Sequence, residues 1–242
     1  MTRYRFILCS LIIVPLALGF GLPAGRVSTE NPFPMSSGTY WIYRGTVRWT
    51  HEGSDQISDA PITWRTEIRR VIQHGDVHGI VVGGFPFDSA WSDEQPKISD
   101  SLLLESKGKF YLIGDERFEQ AVHRLEQSSD SLDGILKDND LVLEWPLRKG
   151  QKYCDADGMA RPDGHYCWVV TSSRKASLSG VAGVESAERD EFVLEYWTNP
   201  DNIRFTFVPE VGITKYEYHH HGTVADTELQ LVEFHQSVDN HK

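Results

Sequence analysis

The amino-acid sequence predicts a mainly β protein: a strongly curved antiparallel sheet or half-barrel with one short helix at about 115–126. About ten segments alternate apolar and polar residues with the period of two that is typical of a half-buried strand. Short stretches rich in Pro, Gly, Asn and Asp separate these segments, so consecutive strands are expected to pair as antiparallel neighbours. Many strands with a single helix favour a curved sheet or a barrel.

The first two strands share a large aromatic face. Segment 41–49 places Trp41 and Tyr43 on its apolar side, and segment 62–72 does the same with Trp64. A Gly-containing turn then leads into a third strand. Because aromatic and β-branched residues fit a pleated, half-buried surface, these strands predict one wall of the sheet or barrel.

A long irregular loop follows at 83–100 and carries three aromatic residues, Phe85, Phe87 and Trp91. Loops of this length are usually functional or disordered, and the apolar rings argue against disorder. Two interpretations remain open. Either the rings plug one end of the core, or the loop forms a lid over a ligand cavity.

One segment has helical periodicity. Asp115 is expected to cap a helix at 115–126, because apolar residues then recur at i, i+3, i+4 and i+7. These residues are Phe118, Ala121, Val122 and Leu125. Further strands follow the helix, one ending at Pro146 and one spanning 168–173.

The C-terminal part, 191–234, predicts four sequential strands joined by short loops. In the second of them Ile203, Phe205 and Phe207 fall on one face. Pro-containing turns precede and follow this strand. Four such strands form an antiparallel meander.

The N-terminal segment 1–25 resembles a secretory signal peptide. Arg3 and Arg5 precede an apolar stretch at 6–22, which is shorter than the roughly 20 residues that span a bilayer. The favoured prediction is cleavage, which leaves 26–242 as a single β domain exported to the periplasm or outside the cell. The alternative is an uncleaved anchor, in which case the protein contacts the membrane only through this segment.

The cysteines agree with export. Cys9 lies in the apolar N-terminal stretch, so the exported domain keeps Cys154 and Cys167. Two cysteines in an oxidising compartment predict a disulfide, here closing a loop of turn-forming residues. The alternative, a metal-binding cysteine site, requires more thiols than the domain has.

The charge balance excludes one class of partner. Asp and Glu number 35 against 24 Lys and Arg, a net charge of −11 with neutral His. Such a surface repels nucleic-acid backbones and anionic lipid headgroups. We therefore predict no nucleic-acid partner.

Three short motifs occur in order along most of the chain. Residues 33–43 contain FP and GTYWIY, residues 145–153 read WPLRKGQKY, and residues 208–216 read VPEVGITKY. They resemble the FPLxxGxxWxY, PLxxGxxW and PGVG-I/L-x-K/R-Y patterns of a loose group of uncharacterised exported bacterial β-proteins. The resemblance implies a curved antiparallel sheet similar to lipoprotein-carrier half-barrels, and it brings no catalytic residues. Tyr153 stands where the pattern has Trp, and Glu210 stands at a turn Gly.

A run of histidines is the most conspicuous polar cluster. Strand alternation places His219 and His221 on one face with Glu217 in line. One interpretation is a zinc site that His235, on the following strand, completes. The other, which we favour, is a solvent-facing stretch of polar strand, because the spacing matches no known zinc motif.

The favoured functional hypothesis is a non-enzymatic exported protein of the cell envelope that binds an apolar or amphiphilic ligand, such as a lipid. Seven Trp and eleven Phe residues supply the aromatic surface for such a site. The expected ligand-binding residues are Trp41, Tyr43, Trp64, Phe85, Phe87 and Trp91. No cofactor is predicted, and the oligomeric state does not follow from the sequence.

Two alternatives remain open. The first is an envelope interaction module that binds a protein through an exposed strand edge or through its acidic surface. The second is a metal-dependent hydrolase that uses His219 and His221. The chain has no Gly-x-Ser-x-Gly element or other hydrolase signature, so a non-enzymatic role is favoured.

Overall fold

The computed structural model of the protein describes residues 32–51, 53–89, 98–154, 161–222 and 225–237. These ranges contain one sheet, one α-helix and three short 3-10 turns, which confirms the mainly β class. The strands are β1 (Tyr40–Thr50), β2 (Ile57–His74), β3 (Val77–Gly83), β4 (Asp100–Ser106), β5 (Lys109–Ile113), β6 (Leu141–Glu144), β7 (Lys152–Cys154), β8 (Cys167–Ser177), β9 (Glu188–Trp197), β10 (Asp201–Val208), β11 (Gly212–His220) and β12 (Ala225–His235). The helix is α1 (Phe118–Glu126), and the 3-10 turns are Pro86–Ser89, Asp115–Arg117 and Asp138–Asp140.

The sheet is built from two meanders joined side by side. The strand order is β6-β5-β4-β3-β2-β1-β12-β11-β10-β9-β8-β7, so every neighbour except the β1–β12 pair is also the neighbour in sequence. Each pair is antiparallel. The predicted curved sheet is confirmed, and it curls further than a half-barrel into a nearly closed barrel whose two edges are β6 and β7.

The junction of the two meanders depends on a close approach between β1 and β12. A Cβ added at Gly45 would collide with the backbone of Glu228 and Leu229 on β12. Glycine therefore allows the two strands to pair without distortion at this point.

Large aromatic side chains of β1 and β2 fill the barrel interior. Trp41, Tyr43 and Trp64 are each at most 2 % exposed. Their polar atoms are satisfied by backbone carbonyls: Trp41 Nε1 donates to Val211 O at 2.6 Å, and Tyr43 OH donates to Ile213 O at 2.8 Å. The indole of Trp64 donates to the carbonyl of Gly84 at 2.8 Å. The aromatic face that the sequence predicts is thus a packed and hydrogen-bonded core.

Helix α1 covers the outside of the barrel at β2 and β4. The added Cβ of Gly79 on β3 would meet Leu125 of the helix and then Leu102 and Leu104 of β4, whereas Leu103 points to the barrel interior beside Phe110. Both faces of β4 are therefore buried, which explains its continuous run of leucines. Within the described ranges, no helix is long and apolar enough to cross a membrane.

The helix begins later than the sequence predicts. Asp115 opens a 3-10 turn that is closed by the bond from Arg117 N to Gly114 O at 3.3 Å, and α1 starts at Phe118. The N-cap is Arg117, which makes no side-chain cap hydrogen bond. The predicted cap position is corrected from Asp115 to Arg117, because the tighter 3-10 turn Asp115–Arg117 precedes the α-helix.

The described part of the long loop folds into the barrel. Phe85 is 3 % exposed, and Phe87, in the 3-10 turn Pro86–Ser89, packs its ring on Tyr216 at 5.3 Å. The carbonyl of Ser89 accepts a hydrogen bond from Thr227 Oγ1 at 3.0 Å. These contacts agree with the interpretation that the rings plug the core, while Trp91 lies outside the described residues.

Candidate functional site

The barrel is left open between its two edge strands. β6 pairs only with β5, and β7 only with β8. Side chains bridge the gap in place of a backbone ladder: Tyr153 OH donates to Val142 O at 2.9 Å, and Gln151 Nε2 donates to Glu144 O at 3.2 Å. We call this opening the seam.

A cavity of about 220 Å³ lies at the seam. It is lined on the β6 side by Leu141 and Val142, and on the β7 side by Tyr153 and Cys154. Five of its thirteen described lining residues are aromatic, namely Phe87, Tyr153, Tyr166, Trp168 and Tyr196. We call it the seam cavity.

Strand register places four of the lining residues side by side. Tyr153 on β7 is paired with Trp168 on β8, and Trp168 is paired in turn with Tyr196 on β9. Tyr196 then lies opposite Ile203 on β10. Cross-strand partners share one face of a sheet, so the four side chains form a row along the inner wall, with the rings of Trp168 and Tyr196 at 5.1 Å.

Phe87 forms the inner end of the seam cavity. Its ring stacks on Trp168 at 6.1 Å. It also lines a second, wholly apolar space of about 20 Å³ deeper in the barrel, beside Phe85 and Phe110. That space has room for about one water molecule, which needs roughly 10–15 Å³. Of these two spaces in the barrel, the seam cavity is the one with room for a ligand-sized occupant.

Tyr166 holds an unusual backbone conformation at this site. Its φ is +59°, in the left-handed region that non-glycine residues seldom adopt. The bond from Tyr166 N to Trp197 O at 2.7 Å holds the residue against the end of β9. Strained residues of this kind concentrate at functional sites.

The cavity lining carries negative charge. Its described residues include Asp138, Asn139 and Asp140, and none is Lys, Arg or His. Arg117 Nη1 bonds both carboxylate oxygens of Asp140, at 2.9 and 2.6 Å. The carboxylate of Asp138 has no hydrogen bond or ion pair with any described residue, and its charge adds to burial in raising the pKa of Tyr111.

Tyr153 stays a neutral hydrogen-bond donor at the seam. Burial, followed by the charge of Glu144, raises the pKa of its phenol well above the usual value. The phenol therefore stays protonated and donates a hydrogen bond to Val142 O.

Replacing Tyr153 by phenylalanine is expected to lower the free energy of unfolding by about 1–2 kcal/mol, because the buried carbonyl of Val142 loses its donor. Tyr111→Phe is the matched control, since Tyr111 is also a buried residue and its hydroxyl makes no hydrogen bond with the described residues. Urea unfolding at equilibrium measures both variants. Equal losses in the two variants would contradict a bridging role for Tyr153.

The predicted disulfide is confirmed and borders the seam cavity. Cys154 and Cys167 are bonded across β7 and β8, thirteen residues apart in sequence. The bond fixes the three-residue strand β7, which carries Tyr153, to the rest of the sheet.

The predicted ligand-binding residues are mostly elsewhere in the barrel. Of the five that are described, Phe87 alone lines the seam cavity. Phe85 borders the small inner space, and Trp41, Tyr43 and Trp64 are core residues. Sequence reasoning missed Tyr153, Trp168 and Tyr196 as a group, since alternation indicates that each faces inward and does not indicate that they are neighbours.

The predicted histidine site is not assembled. His219 Nδ1 lies 3.1 Å from Asp226 Oδ1 on β12, while His221 donates its backbone N–H to Pro200 O at 2.8 Å. His235 stacks on Tyr40 at 5.0 Å. It lies nine residues beyond Asp226, or about 30 Å along the strand. No group of three or more His, Cys, Asp or Glu side chains in the described ranges is placed to hold a metal ion.

Comparisons with known proteins give no family. No family model matches the chain, and no curated protein matches it. Two solved structures are similar to this chain, both at low sequence identity. One is a candidate exported protein with a YmcC-like fold from Bacteroides fragilis, with a TM-score of 0.40, 11 % identity, and coverage of 84 % of this chain and 98 % of that chain. The other is a candidate lipoprotein from Parabacteroides distasonis, with a TM-score of 0.35, 12 % identity, and coverage of 84 % and 97 %.

Proposed function

We propose that this chain is an exported, non-enzymatic β-protein of the cell envelope that binds a small apolar or amphiphilic molecule in the seam cavity. Export is supported by the signal-like segment 1–25, which lies outside the described residues, and by the motif resemblance to exported bacterial proteins. The Cys154–Cys167 disulfide supports it independently, because such bonds persist in oxidising compartments.

The observation that carries the proposal is the contrast between the two spaces in the barrel. The inner space of about 20 Å³ holds nothing of ligand size, whereas the seam cavity of about 220 Å³ has an aromatic wall and a polar rim. Apolar cavities with a few polar groups are typical small-molecule sites. The volume exceeds the roughly 150 Å³ of an engineered apolar cavity that binds benzene, so it suits a small ligand or one end of a longer one that leaves through the seam.

A binding role fits the lining better than a catalytic one. The described lining residues include no Ser, Thr, Lys or His, and Cys154 is held in the disulfide. Asp140 is occupied by Arg117, which leaves Asp138 as a single open carboxylate. Nucleophilic catalysis and general acid–base catalysis need a second positioned group.

The alternative of a protein-interaction module finds its support in the edge strands β6 and β7. An edge strand can pair with an added strand from a partner. These edges are four and three residues long and are already bridged by Tyr153 and Gln151, which leaves little length for pairing. The small-molecule role is therefore favoured.

Filling the seam cavity is expected to prevent binding. Ile203→Trp places an indole in the row of lining residues, and we expect it to weaken the binding of 1-octanol at least about tenfold, or 1.4 kcal/mol. Isothermal titration calorimetry on the exported protein measures the affinity. Val169→Trp is the control, since Val169 follows the inward-facing Trp168 on β8 and points outward.

Thermal melting establishes that each variant is folded, and Ile203→Phe is a smaller replacement if the indole overpacks the site. Absence of octanol binding by the unmodified protein would overturn the proposal. Equal affinity in folded Ile203→Trp and in the unmodified protein would place binding outside the seam cavity.

A further inference from the structure

We propose that the seam cavity selects a ligand bearing an organic cation, such as an alkylammonium or quaternary ammonium group, over one bearing a carboxylate or phosphate. The inference rests on the proposed binding function and adds the charge of the ligand to it. It depends on three features of the lining: its fixed charges, its aromatic faces and its hydrogen-bond donors.

The fixed charges of the lining are negative. The described residues include two aspartates and no cationic side chain. The guanidinium of Arg117 neutralises the charge of Asp140 by bonding both of its carboxylate oxygens. Asp138 is left with an exposed carboxylate that no described residue pairs with, so an anionic ligand group is repelled at the rim and a cationic one is attracted.

The aromatic wall acts in the same direction. The face of an aromatic ring carries negative electrostatic potential and attracts a cation within about 6 Å. Tyr166 and Tyr196 are only partly buried at the cavity wall. The guanidinium of Arg161, which is paired with Asp163, already lies 5.0 Å from the ring centre of Tyr166, so a ligand cation would use the other rings of the wall. Rings grouped in this way are the usual receptor for quaternary ammonium groups.

The lining offers an anion no charged donor and only neutral ones, such as the side-chain amide of Asn139. A buried carboxylate or phosphate needs charged or N–H and O–H donors to replace its water. The phenol of Tyr153 donates to Val142 O, and no Lys, Arg or His is present in the described lining. A quaternary ammonium has no such requirement, because it makes no conventional hydrogen bonds.

Three probes with the same alkyl chain separate the charge of the ligand from its apolar body. They are octyltrimethylammonium, 1-octanol and octanoate, each titrated below its micelle concentration into the exported protein by calorimetry. We expect the cation to bind at least about tenfold more tightly than octanoate and several-fold more tightly than octanol. Added salt is expected to reduce the difference between the cation and octanoate.

Asp138 supplies the test by mutation. Asp138→Asn is expected to reduce the preference for the cation over octanoate several-fold, and Asp138→Lys to abolish it, while octanol binding is unchanged. Asp138 is exposed, so its replacement leaves packing intact. Glu188→Lys is the control, since it makes the same change in net charge about 26 Å along β9 from Tyr196.

The outcomes separate the two proposals. If octanol binds and octanoate binds as tightly as the cation, the charge inference is overturned and the binding function stands. A cation preference that Asp138→Lys leaves intact would also overturn it. If none of the three probes binds, both proposals fail.

Discussion

Trp41→Ala is expected to lower the free energy of unfolding by about 3–5 kcal/mol, the usual loss for a large buried aromatic side chain. Trp41 is 1 % exposed and packs against Phe33 and Phe234 at ring distances of 5.6 and 5.7 Å. Its removal leaves a cavity at the junction of the two meanders. It also deprives the carbonyl of Val211 of its donor, which adds a desolvation penalty.

The control for this prediction is Trp197→Ala. Trp197 is 39 % exposed at the end of β9, and its loss is expected to change stability by less than about 1 kcal/mol. Equilibrium urea unfolding followed by circular dichroism compares the variants. Trp41→Phe keeps a ring without the indole donor, so an intermediate loss is expected even if Trp41→Ala fails to fold. Similar losses for Trp41→Ala and Trp197→Ala would contradict the central position of Trp41.

Removing the disulfide is expected to have the second large effect. The double variant Cys154→Ser/Cys167→Ser should lose about 3 kcal/mol, from the entropy that the unfolded chain regains when a loop of this size is opened. A small domain is stable by only about 5–15 kcal/mol in total, so this is a substantial share. Loss of the disulfide should also loosen the seam, because β7 is only three residues long and carries Tyr153, which bridges to Val142.

Reduction provides the matched comparison. Dithiothreitol is expected to lower the unfolding midpoint of the unmodified protein toward that of the serine variant and to leave the serine variant unchanged. Octanol affinity, measured by calorimetry, should be lower in the reduced protein and in the serine variant than in the oxidised protein. A serine variant as stable as the oxidised protein would show that the bond adds nothing to the fold.

Several features could be predicted because they depend on residues close in sequence. Alternation in 203–207 predicts a strand with one buried face, and that face is buried in β10 at Phe205 and Phe207. The spacing from Phe118 to Leu125 predicts α1, whose start was misplaced because a 3-10 turn and a capped α-turn have the same local pattern. The disulfide followed from counting the cysteines left after export.

Other features could not be predicted because they depend on contacts between distant residues. Trp41 and Val211 are joined by a hydrogen bond across 170 positions of sequence. For this reason Trp41, Tyr43 and Trp64 were expected to line a ligand site, whereas the structure places them in the core. The alternative of a zinc site required the histidines to converge, but strand register opposes His219 to Asp226 and leaves His235 at the far end of β12.

The sequence by itself determined the class of fold, the inward or outward direction of most strand residues, the acidic surface and the disulfide, because each depends on composition or on a period of a few residues. The tertiary structure alone decided that the sheet nearly closes, that it stays open between β6 and β7, and that Tyr153, Trp168 and Tyr196 become neighbours there. Alternation states which face a side chain occupies, whereas strand order and register state what it meets on that face. The seam cavity is a property of register, and it appears only when the strands are paired.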